Sequence, residues 1–232
     1  MQVKAIKTRI FKEKESIYDF IDEHVKPNNN SILVITSKIV ALSEGRVIER
    51  GSDTQKNEII KKESSFALPT KYTWLTIKDG MLMASAGIDE SNAQGKLIML
   101  PRNSFKAAQQ IRNYCIKKYR LKNFGIIITD SRCLPLRIGI IGTALGYAGF
   151  KGVKDYRGTK DIFGRIYKIT RVDVADSLAT AAVYCMGEGR EQQPLAVISD
   201  PNVSWCQKVN KKALIIDPRD DMFAPLFKNI KL

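Results

Sequence analysis

A chain of 232 residues with 44% hydrophobic and 27% charged content has the composition of a globular protein with a sizeable core. Its 38 Lys and Arg against 24 Asp and Glu leave a formal charge of +14, which favours nucleic acid, a membrane surface or polyanionic small molecules as partners. A single histidine, His24, excludes chemistry built on several imidazoles, and apolar runs such as Phe124 to Ile128 fall far short of the roughly 20 residues that span a bilayer. The opening Met1-Gln2-Val3-Lys4 lacks a secretory pattern, so a cytoplasmic protein that does not enter the membrane is expected. Cys115, Cys133, Cys185 and Cys206 form no CxxC pair and are expected to be free, mostly buried thiols.

In chain order, Ser16 to Val25 carries an amphipathic helical pattern with His24 on its solvent-facing or satisfied side. After the turn signal Pro27 to Asn30, Ile32 to Ile35 reads as a buried strand. Trp74 to Ile77, Asp79-Gly80 and Met81 to Ala84 read as a hairpin, with Asp-Gly supplying the tight turn. Ser104 is placed as the cap of a helix with Phe105, Ala108, Ile111 and Cys115 on one face. Phe124 to Thr129 is the strongest buried strand, ending at Asp130. A second clear helix runs from Val172 to Met186, and Leu195 to Ser199 and Ala213 to Ile216 add late strands. Without a linker, a repeat or a strict βαβ alternation, residues 1–232 are expected to form one domain of mixed α+β class rather than a doubly wound one.

Asp89 sits among small residues in Ala84 to Asn92, where an ion or ligand can approach the backbone closely. Asp130 lies at the mouth of a buried strand, and Ser131 adds a hydroxyl oxygen. Glu188 is flanked by Gly187 and Gly189, in a loop able to wrap an anion and present a carboxylate to its metal. Such oxygen donors suit Mg²⁺ or Mn²⁺ completed by phosphates. Arg157 and Arg165 lie in a glycine-bearing turn suited to phosphate or carboxylate recognition. Turn caps, a glycine C-cap and loop salt bridges explain each of these features separately.

Six blocks in order carry a resemblance: Thr36 to Val40 with Ser43 to Gly45, Ala86 to Asn92, Gly125 to Asp130, Arg157 to Asp161 with Gly164-Arg165, Val174 to Ala179, and Met186 to Gly189. The chain resembles the coenzyme F420-0:γ-glutamyl ligase family over nearly its full length. That resemblance implies a two-lobed fold, an intertwined homodimer, and GTP (or ATP) with Mg²⁺ or Mn²⁺ in a groove between the lobes. It puts Asp89, Asp130, Ser131 and Glu188 on metal positions. It puts Ser37, Lys38, Asn92, Met186, Gly187 and Gly189 on nucleotide positions, and Arg137 on a family arginine after the second metal aspartate. The implied reaction joins L-glutamate by an amide bond to an acidic cofactor acceptor through an acyl phosphate, with no residue identified as the general base. Thr8-Arg9-Ile10-Phe11 replaces a Gly-Leu-Pro element, Leu42 replaces a lysine, and Leu134-Pro135-Leu136 departs from the segment before Arg137. These changes resemble a bacterial branch that glutamylates folates, so a folate acceptor is expected ahead of coenzyme F420-0.

The rival readings are a nucleic-acid-binding protein using the basic 102–122 helix, and a metal–nucleotide binding relative without catalysis. Seven basic residues and no acidic one fall between Pro101 and Lys122, but only Tyr114 and Tyr119 offer aromatic stacking, and no nucleic-acid partner is expected.

Overall fold

The computed structural model describes residues 1–227. Its elements are β1 (Gln2–Ile6), α1 (Ile17–His24), β2 (Ser31–Thr36), α2 (Ser37–Ser43), β3 (Val47–Glu49), α3 (Asp53–Glu63), β4 (Phe66–Pro69), β5 (Trp74–Lys78) and β6 (Met81–Ala84). There follow β7 (Lys96–Ile98), α4 (Ser104–Tyr119), β8 (Phe124–Cys133), β9 (Ile140–Ala148), β10 (Val153–Asp155), β11 (Arg171–Asp173), α5 (Val174–Met186) and β12 (Leu195–Ser199). The class is mixed α and β, as the sequence implies.

The main sheet has the order β1-β12-β2-β8-β9, antiparallel except for the parallel β2–β8 pair. Its central strands are apolar on both faces because helices cover both. Leu33, Ile35, Ile126 and Ile128 pack with α1, α2 and α4. Ile32, Val34 and Ile127 alternate with them and pack under α5 with Ala175, Ala179 and Ala182. Two glycines of β9 let the helices seat closely. A Cβ at Gly146 would meet the Ser104 carbonyl carbon at 2.4 Å, and one at Gly142 would meet the Ala179 carbonyl oxygen at 2.5 Å. The smaller lobe combines the β4-β5-β6 sheet, the β3-β7 pair and α3 around Ile60, Ile88, Leu97 and Met99. Met83, Leu100 and Leu145 join the lobes, and Leu145 comes from β9 of the main sheet.

The helices begin where local chemistry satisfies their first N–H groups. Ser16 caps α1 through Asp19, and Ser52 and Gln55 form a capping box on α3. His24 is satisfied as expected, its Nδ1 lying 2.9 Å from the Phe20 carbonyl.

The structure corrects five readings. Asn103, in extended conformation, caps α4 through the Lys106 N–H, so Ser104 is the first helical residue. Val172 belongs to β11, paired with Lys154, and α5 starts after its Asp173 cap. The strand at Asp130 does not end there. It continues to Cys133, with a register shift between Ile128 and Thr129 that re-aims the following side chains. Residues 213–216 form turns, Ala213 N–H bonding to Asn210 and Ile215 N–H to Lys212, and are not a strand. Only Cys115 is buried, whereas Cys133 and Cys185 lie exposed at element ends and Cys206 is half-buried. Residues 228–232 of the expected domain lie outside the described residues. No described helix is long and apolar enough to cross a membrane.

Candidate active site

A cavity of about 470 Å³ opens where the end of β2, the start of α2, the Asp89 loop, β8 and the loop after α5 converge. That is within the range of roughly 300–1,000 Å³ typical of small-molecule sites. Ten of the predicted residues line it: Ser37, Lys38, Asp89, Asn92, Asp130, Ser131, Met186, Gly187, Glu188 and Gly189. They come from four chain segments, which sequence spacing cannot bring together.

Asp89 is fixed by its backbone, which exchanges two 2.9 Å hydrogen bonds with Ile98 across an isolated bridge. The turn before it carries Ser85, Ala86 and Gly87 at φ 47°, 54° and 70°, a left-handed run that two of the three residues adopt only under strain. Thr76, fully buried, holds that turn: its hydroxyl accepts from the Ala86 N–H at 2.8 Å and donates to the Met83 carbonyl at 2.8 Å. The Asp89 carboxylate accepts from the Ser91 N–H at 2.6 Å and faces the Lys38 ammonium at 2.7 Å. Burial works against its charge, but Lys38 and Ser91 outweigh that and hold the carboxyl below its usual range.

Asp130 behaves in the opposite way. Burial pushes its carboxyl up to about 7, the charges of Asp89 and Glu188 add to the rise, and hydrogen bonds from Ser131 and Ser37 only partly offset it. Glu188 is also raised, chiefly by burial, and its Oε2 accepts from the Ser131 hydroxyl at 3.4 Å. The three carboxylates therefore feel one another across the cavity. Among the described residues no group of three Asp, Glu, His or Cys is drawn tightly enough to hold a metal ion as the side chains stand. The donor chemistry still fits a hard divalent cation: three carboxylates and a hydroxyl, all oxygen, with electrostatic crowding that a cation would relieve.

The chain matches the F420-0:Gamma-glutamyl ligase family over residues 5–200. It belongs to that family. The chain is 33% identical over 213 residues to a protein of Methanococcus maripaludis named coenzyme F420:L-glutamate ligase, covering 84% of this chain and 85% of that one. Proteins of the same name from Methanocaldococcus jannaschii (31% over 225 residues, 88% and 90% covered) and Methanopyrus kandleri (30% over 231 residues, 90% and 91% covered) are similarly related. As a member of the γ-glutamyl ligase family, the chain is an enzyme of the ligase class.

The remaining sequence candidates lie elsewhere. Arg137, Arg157 and Arg165 are exposed and do not line the cavity, and the Arg157 guanidinium is spent on Asp155 at 2.6 Å. Met186 lines the cavity, but its side chain is buried in the core under α5 and its carbonyl accepts from Gln193 at 3.2 Å. The Asn92 amide donates to the Gly189 carbonyl at 3.2 Å and so ties the Asp89 loop to the glycine loop.

Several lining residues were not picked out for a role in the sequence: Gln94, Arg190, Glu191, Gln192 and Gln193. The polar run directly after Gly189 was the available signal for the last four. Thr8 to Phe11 also line the cavity, held to the glycine loop by a 2.9 Å bond from the Thr8 N–H to the Gln192 carbonyl.

Proposed function

We propose that this γ-glutamyl ligase uses a nucleoside triphosphate and divalent metal to join L-glutamate to a carboxylate-bearing cofactor tail. The observation that carries the reading is the convergence of Asp89, Asp130, Glu188, Lys38 and the Gly187–Gly189 loop on one cavity. Asp89, Asp130, Ser131 and Glu188 would hold Mg²⁺ or Mn²⁺, which when bound supplies neutralisation of phosphate charge. The chain's own part is positioning. The glycine loop offers the Gly189 N–H to a phosphate, Lys38 offers an ammonium, and the Asp89 bridge to Ile98 keeps the acidic loop in register. In the proposed reaction an acceptor carboxylate oxygen attacks the γ-phosphorus and nucleoside diphosphate leaves. The glutamate amine, having lost one proton, then attacks the acyl carbon, gives up a second proton as the amide forms, and phosphate leaves.

Relatives named for coenzyme F420 favour F420-0 as acceptor. A folate acceptor is the second reading, favoured because the segments that depart from the family pattern, Thr8 to Phe11 and Leu42, line the cavity itself. In the basic 102–122 stretch Arg112 is buried and donates to the Phe124 carbonyl at 2.8 Å and Lys118 is bound to Asp22, so two of its seven cations serve the fold. The proposed assembly is a homodimer.

The test is a ligase assay with L-glutamate, Mn²⁺ and GTP or ATP, offering coenzyme F420-0 and a monoglutamyl folate in parallel. Addition of a glutamyl unit, read by mass spectrometry, identifies the acceptor. Glutamate-dependent phosphate release distinguishes the enzyme from a non-catalytic relative. No gain of mass on either acceptor counts against both.

A further inference from the structure

Several of the charged groups around the cavity are held by a partner within the chain. Arg9 is held by Glu15 and Glu23, and Lys38 by Asp89. The partner of Glu191 is the glycine loop: its Oε2 accepts from the Gly189 N–H at 2.8 Å. The side chain lies across both glycines. A Cβ built on Gly187 would meet the Glu191 carboxyl carbon at 2.6 Å, and one on Gly189 would meet Oε2 at 3.3 Å. Gly187 has φ 78° and ψ 168°, a region essentially reserved for glycine, so the loop is shaped to receive a carboxylate on its N–H face. The Gly187 N–H closes the helix on the Val183 carbonyl, so the Gly189 N–H is the loop donor that faces an anion, and beside metal-type carboxylates it is suited to a phosphate oxygen. In the free protein that place is already taken by an internal anion.

We propose that Glu191 is a built-in occupant of the phosphate place, a carboxylate that holds the glycine loop in the free protein and must swing out before a polyphosphate enters. The inference rests on the nucleotide reading given above and adds a determinant of affinity to it. Displacing Glu191 frees the Gly189 N–H for phosphate. It also puts Glu191 in competition with the ligand, so apparent affinity is lowered by the fraction of molecules in which the loop is occupied.

The experiment measures binding of GTP and of inorganic tripolyphosphate, each with Mn²⁺, to the wild-type chain, Glu191→Ala and Glu191→Gln by equilibrium titration. The expected result is roughly three- to tenfold tighter binding of both ligands by Glu191→Ala, with Glu191→Gln, which keeps the shape and loses the charge, in between. Tripolyphosphate carries no base, so an equal gain on both ligands locates the competition at the phosphates. Weaker binding by the variants would overturn the inference and make Glu191 a ligand-holding group. Unchanged binding would overturn it too, reducing the contact to a local brace. Should wild type bind GTP while the variants match it, the nucleotide site stands and the gate falls; binding by none of the three sinks both. Glu191→Gln decides the matter if Glu191→Ala fails to fold.

Discussion

At Asp130, burial and the charges of Asp89 and Glu188 act in one direction, and two hydrogen bonds are too few to reverse them. A carboxyl whose folded pKa is raised keeps its proton in the fold at pH values where the unfolded chain has lost it. The metal-free fold therefore loses stability as pH climbs from the ordinary aspartate range near 4 to about 7, and the penalty persists above that. Asp130→Asn removes the penalty. Melting in chelator should show a Tm advantage of the variant that widens between about pH 4 and about pH 7 and is constant above that. The same variant should lose at least about 100-fold in turnover with saturating Mn²⁺, because a carboxylate proposed to hold metal is gone. A variant that is both active and no more stable at high pH would contradict the reading.

Among the elements, the strained turn before Asp89 depends on one hydroxyl. Thr76→Val leaves the Ala86 N–H and the Met83 carbonyl without their buried partner, at a cost of about 1–3 kcal/mol by denaturant titration. Activity should fall further than stability accounts for, since the turn sets the position of Asp89. Helices α1 and α4 are joined by a second polar device: the Tyr119 hydroxyl donates to Asp22 at 2.6 Å, and the Tyr114 hydroxyl and Lys118 bond to the same carboxylate. Burial alone would raise the Asp22 carboxyl, yet these donors leave it below its usual range. With a depressed folded pKa, the stabilisation is present at neutral pH and is lost as pH falls through that depressed value. Asp22→Asn should thus cost about 1–2 kcal/mol near neutrality and progressively less in acid, in melting followed across pH.

On the scale of the whole molecule, two loop segments each carry a pair of exposed apolar side chains. Leu136 and Ile138 in the β8–β9 connection and Ile162 and Phe163 in the arm between β10 and β11 are almost fully exposed. Large apolar side chains left exposed in this way suit an interaction surface. The proposed homodimer would cover it, and sedimentation should return about twice the chain mass. Ile138→Glu with Phe163→Glu should shift the protein to monomer while leaving the Tm of the core sheet little changed, and a monomeric wild type would refute the assembly.

Much of this protein was determined by sequence alone. Continuous apolar runs such as Ile32 to Ile35 and Phe124 to Ile128 can be satisfied only between two helical layers, and the Asp79-Gly80 pair fixes its hairpin locally. The acids of the cavity stood out as Asp89 among small residues, Asp130 at the mouth of a buried strand and Glu188 between two glycines, and the family resemblance gave them a shared role. Ends of elements were less legible. The cap of α4 and the passage of β8 beyond Asp130 depend on backbone angles and on a ladder partner in β9, which local propensity does not encode. Only the tertiary structure decided which candidates share a site. It brought Thr8 to Phe11 against the glycine loop, left Arg137, Arg157 and Arg165 outside, and folded Glu191 over Gly187 and Gly189. The physical reason is that hydrophobic patterning specifies which face of an element is buried, whereas the meeting of loops depends on how the lobes pack and on the sum of charges gathered where they meet.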